Sequence, residues 1–306
     1  MDGFVARGDL IPADRLKRLS RRSKAPRALR LATHGGLLAA GTLAVGAAQG
    51  TPWVVPAMAV YGVVLIFLFS ALHETIHRTA FRSRWANDAV AWVAGMALVL
   101  PPGYFRLFHF AHHRYTQDPA RDPELAAPKP ESPGRLALYV SGLPYWRERI
   151  RTTLRHARGR VEEDFVPAHE RAAVAMEARA LLACYAAVAV ASWAAGSWAA
   201  VTYWMLPAVL GQPALRLFLL AEHTGCPLTP DMLANTRTTV SNALVRGLAW
   251  NMPYHTEHHL FPGVPFHALP EVHREVRGRL GVFAPGYLAV HRALWARAWR
   301  TQPVAG

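Results

Sequence analysis

The chain is short of cysteine and of negative charge, and each shortage narrows what it can be. Cys184 and Cys226 are the only cysteines among 306 residues, one inside an apolar stretch and the other just after one. Two cysteines so placed are no disulfide framework, and nothing in them argues for an oxidising compartment. Asp and Glu number 20 against 34 Lys and Arg, a formal net charge of +14. In a soluble protein that surplus would suggest nucleic acid, but no recognised nucleic-acid motif is visible. Low-complexity tracts are absent, and no Gly-x-Gly-x-x-Gly follows a strand-like run, so the flavin and nicotinamide fingerprint is missing.

What the chain has in quantity is apolar sequence. Hydrophobic residues make up 52% of it, and its mean hydropathy is positive. Four apolar stretches, at about 31–49, 53–72, 181–196 and 198–220, are candidates to cross a hydrocarbon core of roughly 30 Å as helices. The links inside each pair, Gln49–Pro52 and Gly196–Ser197, are short and uncharged, so the stretches read as two hairpins. Arg21-Arg22 ahead of the first stretch imitates a twin-arginine signal, but a second long apolar stretch follows almost at once. Residues 88–102 are too short for a full span and read as interfacial or re-entrant. Pro207 and Pro213 are expected to kink the fourth span. Basic residues fall in residues 1–30, in the polar segment 118–170 and in the amphipathic late segments, all on one side of the hairpins. The positive-inside rule makes that side the cytoplasm, and anionic membrane lipid is a better partner than nucleic acid. The expected fold is an all-α integral membrane protein, four transmembrane helices in two hairpins under a cytoplasmic helical cap. Its parts are a basic segment 1–30, a membrane domain 31–280 and an amphipathic tail 281–306. The expected location is the bacterial inner membrane, with both termini cytoplasmic.

Histidine is the residue that organises the chain. His73 and His77 have the spacing H-x-x-x-H; His109, His112 and His113 form H-x-x-H-H; His255, His258 and His259 repeat it. Positions i, i+3 and i+4 share a helix face, so three imidazoles of one box are expected to converge on one point. Neutral imidazole suits iron, zinc, copper and nickel. Burying so many imidazoles without partners would cost desolvation energy, and eight exceed what one metal ion holds, so two ions are expected. A ninth candidate, His223, stands where the fourth span meets the same side of the membrane as the boxes. Glu74, Asp118, Asp122, Glu222 and Glu257 sit beside these histidines, and such carboxylates commonly orient a ligating ring through its other nitrogen. Asn251, four before His255, is placed with them.

Three other chemistries were weighed on the same residues. His73-Glu74-Thr75-Ile76-His77 is literally H-E-x-x-H, the zinc protease signature, but that reading leaves both H-x-x-H-H boxes unused. A soluble-type di-iron bundle needs two Glu-x-x-His pairs, and only Glu74–His77 fits. A metal transporter would place its histidines near the bilayer midplane, whereas these lie at span ends.

The series H-x-x-x-H, H-x-x-H-H, Glu-His, H-x-x-H-H between two apolar hairpins resembles the membrane fatty acid desaturases and the related alkane hydroxylases and carotenoid ketolases, over roughly residues 50 to 275. The resemblance implies a nine-histidine site for two ferrous ions, with dioxygen as oxidant and an acyl chain held in an apolar tunnel. By residue match the ligands are His73, His77, His109, His112, His113, His223, His255, His258 and His259. Where animal acyl-CoA desaturases have N-x-x-x-H, this chain has Leu219 four before His223. No His-Pro-Gly-Gly haem segment is present, so electrons are expected from a ferredoxin or cytochrome in trans. Desaturation is the expected reaction; hydroxylation, ketolation and oxidative decarboxylation share the same iron site.

Overall fold

A computed structural model describes residues 10–300; the outer parts of the two terminal segments, residues 1–9 and 301–306, lie outside the described residues. Nearly everything described is helix. After a short α1 (Ala13–Leu19), α2 (Lys24–Ala47) and the pair α3 (Val54–Ile66) and α4 (Leu68–Ile76) form the first two long apolar rods. α5 (Arg84–Leu98) and α6 (Pro102–Tyr115) follow, then α7 (Pro133–Val140) and α8 (Leu143–Ala157). The third and fourth rods are α9 (Arg171–Ala194) and α10 (Leu206–His223), the latter entered through a π-helical turn, Val201–Met205. Short helices complete the chain: α11 (Met232–Asn235), α12 (Ala243–Leu248), α13 (His255–Leu260), α14 (Leu269–Val276) and α15 (Tyr287–Arg300). β1 (Thr238–Thr239) pairs in parallel with β2 (Phe283–Ala284).

Four rods are long and apolar enough to cross a membrane: Lys24–Ala47, Val54–Ile76, Ala168–Ala194 and Val201–His223. Much of their apolar surface faces outward, for example Leu43, Val60, Val190 and Trp193. Apolar faces of that extent need hydrocarbon rather than water around them, and the chain is an integral membrane protein. α3 and α10 pack against each other along their length. Their backbones touch at Gly62 and Gly211, where a Cβ on either residue would lie about 2 Å from a carbonyl oxygen of the other helix. Only glycine permits that approach. Pro207 falls just after the π-helical turn and Pro213 lies inside α10.

Residues 84–115 are a broken rod. α5 and α6 meet at 94°, turning at Val99, which takes a left-handed conformation (φ 54°). A break at this depth strands the last carbonyls of α5. Three aromatic donors meet them: Tyr185 Oη to Met96 O (2.7 Å), Trp204 Nε1 to Ala97 O (3.0 Å) and Tyr145 Oη to Leu98 O (2.9 Å). At the start of α6 the free amides of Gly103 and Tyr104 donate to the Glu177 carboxylate of α9, at 2.8 and 3.0 Å. The orientation of α6, which carries the second histidine box, is therefore fixed from both neighbouring rods. α5, α8, α9 and the approach to α10 enclose an apolar cavity of about 560 Å³.

Candidate metal centre

Each histidine box sits at a helix end. His73 lies in the last turn of α4 and His77 caps it, with the Arg106 guanidinium bonded to the free carbonyl of Ile76. His109, His112 and His113 occupy the end of α6; His223 is the last residue of α10; His255, His258 and His259 make up half of α13. All are buried except His77, which is half-buried. Burial, reinforced by neighbouring imidazoles, pushes His255, His258 and His259 well below the usual histidine range. These rings are neutral at pH 7, the form that binds metal.

The nine rings assemble into two groups. His73, His77, His109, His113 and His258 make one; His112, His223, His255 and His259 make the other; within each, the candidate ligand atoms all lie within 4.8 Å of one another. This corrects the expectation that the three imidazoles of one H-x-x-H-H box meet at a point. In both boxes the i and i+4 rings go to one group and the i+3 ring to the other. The reason is angular: at 3.6 residues per turn, i+3 and i+4 diverge by about 100° around the helix axis, enough to aim them at adjacent centres. The groups touch, with the rings of His113 and His259 stacked at 4.1 Å.

The contacts within the groups are not a satisfied hydrogen-bond network. His113 Nε2 lies 2.9 Å from His109 Nε2 and 3.0 Å from His258 Nε2. His223 Nε2 lies 3.2 Å from His112 Nε2 and 3.0 Å from His255 Nε2, which is itself 3.2 Å from His259 Nε2. A neutral ring nitrogen carries one proton or one lone pair, so it cannot bond two such neighbours at once. The convergence is compatible with a shared cation in each group, and nitrogen donors with no thiolate suit iron or another imidazole-binding metal.

Behind the four-histidine group three of the four rings have a hydrogen-bond partner on the far nitrogen. Asp122 Oδ1 lies 3.0 Å from His112 Nδ1, with both side chains 1% exposed. The carbonyl of Asn235 accepts from His223 Nδ1 at 3.2 Å, and Thr116 Oγ1 accepts from His259 Nδ1 at 3.2 Å. Glu222 Oε1 stands 3.3 Å from His255 Nδ1, out of line for a hydrogen bond. These contacts leave Nε2 of each ring for a metal ion. In the five-histidine group, Nδ1 of His73, His113 and His258 has no partner. Thr116 and Asn235 carried no sequence signal, since one acts through a hydroxyl on the turn after the box and the other through its backbone.

The remaining predicted neighbours act elsewhere. Asp118 pairs with Arg121 at the surface (2.6 Å). Glu74 Oε1 accepts the Phe266 amide (3.1 Å) and Asn251 Nδ2 donates to the Phe266 carbonyl (3.0 Å), so the two clasp one peptide unit. Glu257 turns away from the rings toward His273. Among the described residues none of these four bonds a box imidazole, correcting that expectation. A residue next to a ligand on a helix points about 100° away from it and reaches the neighbouring element instead.

A small cavity of about 30 Å³ touches both groups, reaching His73 and His109 of one and His112 and His255 of the other. Phe69, Phe105, Phe218, Leu219 and Met252 give it an apolar wall, and Glu124 and Glu222 its polar edge. The larger apolar cavity touches none of the nine histidines, and a third, of about 260 Å³, touches His223 of the four-histidine group, whereas the small one reaches both groups.

A helical membrane protein with two adjoining polyhistidine groups and a small cavity reaching both has the parts of a membrane metalloprotein. The family model described as fatty acid desaturase matches residues 50–292, and the chain belongs to that family. It is 24% identical over 256 residues to an sn-1 oleoyl-lipid 12-desaturase of Picosynechococcus sp., covering 76% of this chain and 72% of that one. To the enzyme of the same name from Synechocystis sp. it is 25% identical over 253 residues, 72% and 68% of the two chains. To a dihydrorhizobitoxine desaturase of Bradyrhizobium elkanii it is 26% identical over 282 residues, 86% and 77%. The chain is thus an oxidoreductase of the acyl-desaturase type.

Proposed function

We propose that the protein is a di-iron, dioxygen-dependent desaturase that places a double bond in the acyl chain of a membrane lipid. The observation that carries the reading is the division of nine histidines, eight of them buried, into groups of five and four beside one small cavity that reaches both. The names of the relatives from Picosynechococcus sp. and Synechocystis sp. favour a lipid-linked chain as substrate. Iron bound by the two groups supplies the activation of dioxygen that removing hydrogen from an unactivated methylene requires, a step no side chain can perform. The nine imidazoles would hold the metal, the group of five around one ion and the group of four around the other. Asp122, Asn235 and Thr116 fix the tautomer of three rings. Phe69, Phe105, Phe218, Leu219 and Met252 press a methylene pair against the centre and keep bulk water out, so geometry chooses the carbon that reacts. The reaction balances when a CH₂–CH₂ unit, one O₂, two electrons and two protons give a CH=CH unit and two waters.

In this reading α2 with α3–α4, and α9 with α10, are two transmembrane hairpins, and the histidines and both termini face the cytoplasm. The electrons come from a ferredoxin or cytochrome with its reductase, and the basic face steers an acidic donor. The test is expression in a host whose lipids are profiled by mass spectrometry against an empty-vector control, together with iron analysis of the purified chain. New unsaturated acyl lipids lighter by two hydrogens, and iron in the protein, are expected. Products that gain oxygen would move the assignment to a hydroxylase; a metal-free chain would end the di-iron reading. With purified enzyme, turnover beyond one cycle should require the donor and fall with added salt.

A further inference from the structure

α13 contributes three of the nine rings, yet it has six residues and no side-chain cap at its N-terminus. A helix that short has no stability of its own, so its orientation depends on what its other faces touch. All six of its residues are buried, Leu260 in the main core, and the polar contacts on its other faces are specific. Thr256 Oγ1 donates to the Thr236 carbonyl at 2.9 Å. Glu257, fully buried, accepts on both carboxylate oxygens: from Thr238 Oγ1 of β1 at 2.6 Å and from His273 Nδ1 of α14 at 2.5 Å. His273 is held between rings, 5.1 Å from Tyr254 and stacked at 6.1 Å on Phe283 of β2. A buried carboxylate is tolerable only where donors of this kind meet it, so the pair fixes both partners. Glu257 lies between His255 and His258 in the chain, and any rotation of α13 that moves one moves the others.

Resting on the di-iron reading above, we propose that Glu257 and His273 are positioning residues that set the rotation of α13 and so divide its imidazoles between the two metal groups. The dependence is unequal. α13 supplies two of the four rings of one group, His255 and His259, but only His258 of the other group's five. Releasing α13 therefore empties the four-histidine group first. Neither residue touches a metal-binding nitrogen; they act through the helix.

The test uses the full chain in detergent, loaded with ⁵⁷Fe, with iron per chain and the Mössbauer spectrum as readouts alongside lipid product. His273→Ala is expected to weaken iron at one site about 10- to 100-fold, the range for loss of an outer-shell partner, so that iron falls from about two toward about one per chain and one spectral component is lost. His273→Asn, whose side-chain amide can donate from nearly the same place, should restore most of that iron and the missing component. Glu163→Gln, which removes the charge from the part-buried His156–Glu163 pair (2.9 Å) away from the centre, serves as control and should keep both irons. Two irons and a wild-type spectrum in His273→Ala would overturn the proposal. So would parallel loss of both components that His273→Asn fails to rescue, because that is the mark of a contact serving only the fold. A wild-type chain that takes up no iron would remove the di-iron reading and this inference together, a result no variant can imitate.

Discussion

At the scale of single residues the most informative histidine is His223. It has no spacing partner in the chain, and its two neighbours at the centre, His112 and His255, come from α6 and α13. Its Nδ1 donates to the Asn235 carbonyl, which turns Nε2 toward the other rings. If His223 holds metal, His223→Ala should drop iron below two per chain and abolish product. If it only shares a hydrogen bond, the loss should be ~1 kcal/mol of stability with activity still measurable. His169→Ala is the control, since that side chain is 80% exposed. Near-normal iron and turnover in His223→Ala would reduce the site to eight histidines. Eight of the nine histidines were legible in the sequence because their spacing is local, and His223 was picked out only by its place at a span end and by the family resemblance. The destination of each ring was not legible, because i, i+3 and i+4 together specify a helix face and say nothing of how many centres stand opposite it. Carboxylates read poorly for a related reason: adjacency in sequence placed Glu257 beside a ligand, whereas the fold turned it to His273.

Among the elements, the α5–α6 corner imposes a structural cost and shows how it is met. A break in a membrane rod exposes carbonyls that water cannot reach, and Tyr145, Tyr185 and Trp204 answer three of them from α8, α9 and the turn before α10. Trp204→Phe keeps the ring and removes the donor to Ala97 O. It should cost about 1–3 kcal/mol, the penalty for an unmet buried acceptor, and lower the midpoint of thermal unfolding in detergent. Trp193→Phe, on an outward face of α9 that is 84% exposed, should leave the midpoint where it is. Equal midpoints for the two variants would show that the carbonyl finds another donor. The shortness of residues 88–102 pointed to an interrupted rod, and Pro101-Pro102 stand at the break. The donors that make it tolerable come from segments up to 107 residues away, and no local pattern announces them.

For the molecule as a whole, charge and apolar length together predict an orientation. If both hairpins enter from the cytoplasm, reporters fused after residue 50 and after residue 196 should read extracytoplasmic, and a fusion after residue 130 cytoplasmic. With residue 50 extracytoplasmic, an extracytoplasmic signal at residue 130 would place the first box on the opposite side of the membrane from the second and third, which is incompatible with rings in contact, and would refute the four-span arrangement.

The sequence by itself determined the solvent and the family: apolar rods of membrane length, eight histidines in recognisable boxes with a ninth at a span end, and the order in which rods and boxes alternate. Those properties are written in composition and in spacings of three or four residues, the range over which a helix is its own template. The tertiary structure alone decided how the nine rings divide, which groups stand behind them, and where the apolar pocket opens. Each of these depends on the angle at which one helix meets another. That angle is set by contacts distant in sequence: Gly62 against Gly211, Glu177 on the first amides of α6, and Glu257 on His273.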